Sequence, residues 1–310
     1  MPDAPPSGST NEDTPCRPVS DERRGILWML LTMFLYVSMN AFAKELMLTY
    51  PVPQVLWARY FFQMVFVVLI LRHRLGPFLA TGNLKLQLGR SVMLLTSSIL
   101  FFIAMSQLPL ADITAIMFVG PLLVTALSMP ILGEHVGRRR WTSVIVGFIG
   151  ALIIIRPGAG IMHAAALLPL GAALAYAFYE MTTRILSRTD RTITTLVYSA
   201  SIGTLVLSCA VPFFWLPPDP WAWFMLASMG VLAGGGHFAV IKAFEAAPAA
   251  TVTPFGYTTL LWATFYGFVL FDELPDGWTL FGAGIVILSG LYIFNRERTI
   301  RAGREQSGAD

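Results

Sequence analysis

Ten long apolar stretches run through the chain, and they constrain its fold more than any other feature. Each is about 20 residues long, the length that an α-helix needs to cross the hydrocarbon core of a bilayer. Only 13% of the 310 residues are charged, against roughly 25% in a typical soluble domain. The stretches occupy residues 25–46, 52–71, 90–108, 111–132, 140–156, 163–186, 192–215, 220–243, 249–271 and 277–295. We therefore predict an all-α membrane protein with ten transmembrane helices.

Short connections that contain proline, glycine or charge separate these stretches, as expected of helix stop signals. The polar, proline-rich segment 1–23 predicts a disordered tail on the cytoplasmic side, and a second cytoplasmic tail is expected over 297–310. Between the tails, the membrane part divides into a first half over 24–156 and a second half over 163–296.

Lys and Arg residues are distributed unequally between the two sets of connections. If both termini face the cytoplasm, all but four of the 21 Lys and Arg residues lie on that side. The opposite side keeps Lys44 and Arg156, while Arg59 and Lys242 lie within stretches. Because loops with excess positive charge face the cytoplasm, we predict that both termini are cytoplasmic. A helix count that was wrong by one would destroy this asymmetry.

The two halves of the chain repeat each other. A shift of 139 residues aligns Pro109, Thr114, Leu122, Thr125 and Glu134 with Pro248, Thr253, Leu261, Thr264 and Glu273. A shift of 140 residues aligns Tyr36, Asn40 and Lys44 with Tyr176, Glu180 and Arg184. Each half has five helices, an odd number, so the second half enters the membrane in the opposite sense. Such inverted repeats are typical of transporters, whose substrates bind near the midplane between the halves.

Several short motifs in this order resemble the drug/metabolite transporter superfamily, in its ten-helix EamA branch. They are Leu-Pro-Leu-Ala-Asp at 108–112, Pro121, Gly133-Glu134 and Arg156-Pro157-Gly158, with echoes at 247–250, Pro254 and Glu273. The resemblance covers about residues 24–296 and implies two inverted EamA-like repeats in a bacterial inner membrane. Within the branch, residues 51–54 and 56–59 are most similar to bacterial riboflavin importers.

The resemblance implies a secondary carrier that works by alternating access, with riboflavin or a similar planar metabolite as substrate. An S-adenosylmethionine carrier and an exporter of amino acids or drugs remain alternatives on the same fold. An intramembrane enzyme or a non-transporting scaffold is a more remote alternative, because no paired catalytic groups are visible. We expect no cofactor and no metal, since no nucleotide-binding loop or metal motif occurs and Cys16 and Cys209 stand apart.

The expected partners are the small-molecule substrate and membrane lipid. The net charge of +3 is explained by the orientation signals, so no nucleic acid is expected. The sequence does not determine the oligomeric state, and a homodimer is one arrangement that it permits.

Polar residues inside the stretches are the candidate site residues, because charge at bilayer depth is costly and usually faces a cavity or a partner. The predicted substrate-binding residues are Tyr36, Asn40, Arg59, Tyr176, Glu180, His237 and Lys242. Pro121 and Pro254 are the predicted gating positions, because proline removes a backbone donor and bends a helix.

Each candidate also has a structural interpretation. Asn40 and Glu180 can form helix–helix hydrogen bonds, Glu180 can pair with Arg184 four residues later, and His237 can be a hydrogen-bonded structural residue. Arg59 can extend to the outer interface, and Lys242 can pair with Glu245. Glu134 and Glu273 close the fourth helix of each half and are interpreted as symmetric structural locks.

Overall fold

The computed structural model describes residues 22–71, 80–132, 138–156, 162–186, 189–247 and 249–307. The first half contains α1 (Glu22–Leu46), α2 (Val52–Leu71), α3 (Leu84–Met105), α4 (Leu110–Met117), α5 (Gly120–Leu132) and α6 (Arg138–Ile155). The second half contains α7 (Met162–Leu186), α8 (Thr192–Ala210), α9 (Pro220–Ala246), α10 (Ala249–Val252), α11 (Thr259–Phe271) and α12 (Gly277–Ser307). Two 3₁₀ turns, Val211–Phe214 and Thr253–Thr258, complete the second half.

All ten predicted stretches are helical, which confirms the all-α membrane fold. By length and hydropathy, eight helical segments of the described chain can cross a bilayer, and the shorter apolar helix Trp141–Ile155 is a ninth. The remaining stretch, 249–271, is helical but interrupted. The last helix continues to Ser307, well beyond the predicted end at 295. The predicted motifs at 133–134 and 157–158, Pro248 and the tail residues 1–21 lie outside the described residues.

Helices that are equivalent in the two halves make equivalent contacts. The first helix of each half packs against the third helix of the other half, so α1 contacts α9 and α7 contacts α3. The fifth helices, α6 and α12, pack against each other. In that contact, a Cβ atom on Gly150 would lie 2.9 Å from the carbonyl oxygen of Gly282, so only glycine allows this approach. The core therefore lies between the halves.

The fourth helix of each half is interrupted at the equivalent position. In the first half α4 ends at Met117 and α5 begins at Gly120, and in the second half a 3₁₀ turn separates α10 from α11. Phe118 and Tyr257, which the 139-residue shift pairs, meet at the two interruptions with ring centroids 5.0 Å apart. Contact between equivalent residues is expected on the axis that relates two repeats. Interrupted helices near an inter-repeat axis are a feature of secondary transporters.

The two predicted gating prolines lie beside these interruptions. Pro121 is the second residue of α5, and Pro254 is the second residue of the 3₁₀ turn. At the first turn of a helix the backbone N–H has no helical partner, so proline fits there without loss of a hydrogen bond. Their position is compatible with gating, which stays a prediction.

The chain connections collect at two opposite ends of the helices. We call the end with residues 47–51, 106–109, 156 and 272–276 the Lys44 end. The end with residues 80–83 and 189–191 is the Asp190 end. Arg184, the repeat equivalent of Lys44, lies two turns after Tyr176 toward the Asp190 end. Equivalent residues thus occupy opposite ends, as an inverted repeat requires.

Candidate functional site

A side-chain hydrogen bond joins α1 to α9 near the middle of both helices. The Tyr36 hydroxyl lies 2.8 Å from Nδ1 of His237, and the two rings are 5.5 Å apart. The same Nδ1 lies 2.9 Å from the carbonyl oxygen of Ala233, one turn earlier on α9. A Cβ on Gly236 would lie 2.5 Å from the Tyr36 ring, so glycine allows the ring to approach. His237 therefore holds Tyr36 in place.

Arg59 of α2 turns toward this pair and does not extend to the membrane surface. Its Nη1 donates to the Ser98 hydroxyl of α3 at 3.1 Å, and that hydroxyl also bonds Tyr60 at 2.9 Å. Tyr36 and His237 both interact electrostatically with the guanidinium. The buried Nε of Arg59 has no hydrogen-bond partner in the described chain. Arg59 thus brings positive charge and an unused donor to the interior.

α7 brings aromatic rings and a carboxylate to the same region. The rings of Tyr176 and Tyr179 lie 5.3 Å apart, and both hydroxyls interact electrostatically with Glu180. Tyr36 of α1 lies in the neighbourhood of both tyrosines. Tyr36 and its repeat equivalent Tyr176 therefore lie in the same region of the interior.

These side chains form what we call the central polar cluster. Its members are Tyr36, Arg59, Tyr176, Tyr179, Glu180 and His237.

Two polar side chains at equivalent positions make no hydrogen bond within the described part of the chain. Glu180 makes no hydrogen bond or ion pair with any residue that the structure describes, and it does not pair with Arg184. Asn40, one turn after Tyr36 on α1, likewise makes no hydrogen bond in the described ranges. Both side chains are half-buried. An unpartnered carboxylate and amide are free to receive polar groups of a ligand.

Arg90 of α3 has a role that its sequence context does not indicate, because it lies at the polar edge of an apolar stretch. Asn83 caps α3 by accepting from the backbone N–H of Leu86, so the helix begins early and Arg90 lies in its second turn. Only 3% of Arg90 is exposed. Its guanidinium donates to four groups of the second half: Thr183 Oγ1, the Thr195 carbonyl, Ser199 Oγ and the Tyr179 hydroxyl.

The Tyr179 ring also lies under the guanidinium of Arg90, with the ring centroid 4.3 Å away. Arg90 thereby determines where Tyr179 stands beside Tyr176. The early helix cap at Asn83 is the one sequence signal that predicts this burial.

Lys242 does not join the cluster. Its Nζ donates to Glu245 at 2.7 Å, and its other contact is the ring of Phe238 at 5.8 Å. Both partners lie on its own helix, and the pair is exposed, with 38% and 57% of the two side chains accessible. The expected ion pair with Glu245 is therefore present, and the position offers little to a ligand of the cluster.

Lys44 is the second residue that the sequence analysis assigned no role. It is buried at the end of α1, and its Nζ donates to Glu273 at 2.7 and 2.5 Å. A further bond to the Leu108 carbonyl, 3.1 Å long, completes its environment. The predicted lock at Glu273 thus has its partner in the first half, whereas Glu134 lies outside the described residues.

No three His, Cys, Asp or Glu residues of the described chain are grouped as a metal site would require.

Comparison with known proteins agrees with the two-repeat architecture. The model of the EamA-like transporter family matches residues 23–156 and again residues 163–295. A crystal structure of another protein superposes with a TM-score of 0.59 over 89% of this chain and 98% of its own. Since the two sequences are only 14% identical, this likeness shows the fold alone.

Several curated relatives are similar over nearly their whole length. A riboflavin transporter from Vibrio cholerae is 29% identical over 92% of this chain and 97% of its own. An S-adenosylmethionine uptake transporter from Rickettsia bellii is 27% identical over 88% and 94%. The pseudopaline exporter CntI from Pseudomonas aeruginosa is 26% identical over 86% and 94%. All three relatives are transporters, and their names give three substrates and both directions.

Proposed function

Because the chain belongs to the EamA-like transporter family, which matches it once in each half, we propose that it imports riboflavin by alternating access. The substrate binds at the central polar cluster. The protein lies in the bacterial inner membrane, and the distribution of Lys and Arg supports cytoplasmic termini. The Lys44 end then faces outward and the Asp190 end faces the cytoplasm.

The observation that carries the substrate assignment is the set of aromatic rings at the cluster. Tyr176 and Tyr179 of the second half have ring centroids 5.3 Å apart, and Tyr36 of the first half lies in the same region. Aromatic rings stack on flat conjugated ring systems such as a flavin. The free amide of Asn40 and the unused Nε of Arg59 supply donors for the flavin carbonyls. The free carboxylate of Glu180 accepts from the sugar-alcohol hydroxyls.

In alternating access, the end of the protein that is closed in one state is open in the other. The interruptions of the fourth helices provide places where each half bends, with Pro121 and Pro254 beside them. Replacement of either proline by alanine is expected to slow transport more than it weakens substrate binding.

Growth of a riboflavin-requiring bacterium on scarce vitamin, together with uptake of labelled riboflavin, tests the proposal. We expect rescue by the native protein and about fivefold weaker uptake after Asn40→Ala, since a lost hydrogen bond to substrate costs about 1 kcal/mol. Ser228→Ala is the matched control, because its exposed hydroxyl bonds only its own helix. No rescue and no uptake with protein present in the membrane would sink the riboflavin assignment and leave the carrier assignment standing.

S-adenosylmethionine uptake is the second candidate, and the unpaired carboxylate of Glu180 favours it. A sulfonium or ammonium group beside a free carboxylate gains charge attraction that a neutral flavin lacks. The adenine ring would use the same tyrosines. Counterflow with both labelled substrates in proteoliposomes separates the candidates. Riboflavin exchange without S-adenosylmethionine exchange supports the first, and the reverse result supports the second.

A further inference from the structure

The ion pair between Lys44 and Glu273 joins the two halves at the Lys44 end. Only 8% of the Lys44 side chain is exposed, against 30% of Glu273. The ammonium also bonds the Leu108 carbonyl and lies 4.9 Å from the centroid of the Phe271 ring. The pair is therefore held in a defined place, unlike the exposed pair of Lys242 and Glu245.

Lys44 is connected to the substrate site through α1. Tyr36, Asn40 and Lys44 are spaced four residues apart, so they lie on one face of the helix. At 1.5 Å per residue, Lys44 lies about 6 Å beyond Asn40 along the helix axis. The ion pair therefore stands between the central polar cluster and the membrane surface at this end.

Contacts between α1 and α11 continue along the two helices as far as the ion pair. Phe34 meets Trp262 with centroids 5.0 Å apart, and the Ser38 hydroxyl bonds the Tyr266 hydroxyl at 2.7 Å. Lys44 and Glu273 form the last contact. We call these three contacts the α1–α11 seam.

The backbone after α11 aims Glu273 at Lys44. Asp272 adopts a left-handed conformation with φ 52°, which ends the helix and turns the chain back. The N–H of Glu273 then bonds the Gly267 carbonyl at 2.9 Å. Glu273 is thus fastened to α11 and moves with it. At the other end of α11 the 3₁₀ turn Thr253–Thr258 separates the helix from α10.

We propose that Lys44 and Glu273 are transport residues that form the gate at the Lys44 end, and that substrate enters when α11 moves away from α1 and breaks their ion pair. An ion pair suits a gate, because both charges regain water when the seam opens, which offsets the lost attraction. A sealed apolar seam would gain nothing from that water. This inference rests on the proposed alternating-access function.

The first test measures access to the site and needs no knowledge of the substrate. Asn40→Cys is introduced into a background with Cys16→Ser and Cys209→Ser, and a membrane-impermeant thiol reagent is added from the Lys44 side. We expect labelling about tenfold faster when Lys44→Met or Glu273→Gln is added, since loss of the pair shifts the population toward the open state. Lys85→Met, at an exposed lysine of α3, is the matched control and leaves the rate unchanged.

The exchanged pair Lys44→Glu with Glu273→Lys guards against a folding defect. It restores slow labelling if attraction between the two positions closes the end. Equal labelling rates for the Asn40→Cys protein with and without Lys44→Met or Glu273→Gln would overturn the gate, provided that each variant reaches the membrane in native amount.

The second test locks the seam. Lys44→Cys and Glu273→Cys, in the background with Cys16→Ser and Cys209→Ser, are joined by a bifunctional reagent that forms a disulfide with each thiol and is long enough to replace both side chains. We expect transport to fall at least about tenfold and to return when the link is reduced, because the end can no longer open. Full transport by the linked protein overturns the gate. If riboflavin is not transported but labelling responds to the ion pair, the substrate assignment fails and the gate survives.

Discussion

α1 and α7 occupy equivalent places in the two halves, yet their polar residues have different surroundings. We call the polar residues spaced four apart on each helix a column. The column of α1 is Tyr36, Asn40 and Lys44, and the column of α7 is Tyr176, Glu180 and Arg184. Lys44 is buried in an ion pair with the other half, whereas Arg184 is exposed. The amide of Asn40 on α1 occupies the position that the carboxylate of Glu180 occupies on α7.

This difference shows that the repeat determines position and not chemistry. A symmetric backbone places both columns around the axis, where they meet. Substrates such as flavins are not symmetric, so equivalent positions have to offer different groups. The four predictions below change this asymmetry or test how much of it matters.

The largest effect is expected for Arg90→Ala. The repeat register pairs Arg90 with the buried Met229, so the first half carries a guanidinium where the second carries an apolar side chain. Removal of the guanidinium deprives the Thr195 carbonyl and the Tyr179 and Ser199 hydroxyls of a hydrogen bond. We expect the free energy of unfolding to fall by about 2–4 kcal/mol. Thermal unfolding in detergent measures the loss. Arg138→Ala, at the exposed start of α6, is the control, and equal melting of the two variants would contradict the structural role.

A smaller effect is expected for Glu180→Gln, which makes the two columns chemically alike. If the carboxylate receives a hydroxyl of riboflavin, the KM of uptake rises about tenfold with little change in maximal rate, since a bond to a charged acceptor is weakened. Asn40→Asp is the reciprocal change. An unchanged KM for both variants would show that the unpaired groups do not contact the substrate.

A weaker effect on uptake is expected for Gly236→Ala in α9, and the adjacent Gly235 provides the matched control. A Cβ on Gly236 would press on the Tyr36 ring, whereas a Cβ on Gly235 would meet the Leu35 side chain at an ordinary 3.6 Å. We expect Gly236→Ala to lower uptake several-fold, because Tyr36 is displaced from His237. Gly235→Ala should keep native uptake and stabilise slightly, since alanine favours helix. Equal uptake by the two variants would show that Tyr36 is not part of the substrate site.

The smallest effect is expected at the Asp190 end. Burial raises the pKa of Asp190, but hydrogen bonds from Thr81, Gln87 and the Gly82 backbone outweigh it and hold the pKa below its usual value. A lowered folded pKa stabilises the protein above the ordinary pKa of about 3.9, and the gain is lost as pH falls through the folded value.

Asp190→Asn should therefore melt slightly below the native protein at pH 7. The two melting curves should converge as the pH drops below about 4. A gap that is constant over this range would exclude the carboxylate charge as its cause.

Much of the fold could be predicted from the sequence, because crossing a bilayer demands long apolar helices. The ten stretches and the two halves follow from hydropathy and from the repeat. The positions of the interruptions at Phe118 and Tyr257 do not follow, since proline is tolerated at several places in a membrane helix.

What the sequence by itself determined is which residues occupy equivalent depths on equivalent helices. Only the tertiary structure decided which of them have partners: Arg90 and Lys44 bind groups of the other half, while Glu180 and Asn40 make no hydrogen bond with any residue that the structure describes. In the sequence alone, Arg90 and Lys44 resemble the ordinary positive charges that flank membrane helices. The physical reason is that burial of a charge depends on donors and acceptors brought from distant segments, and hydropathy along the chain contains no record of them.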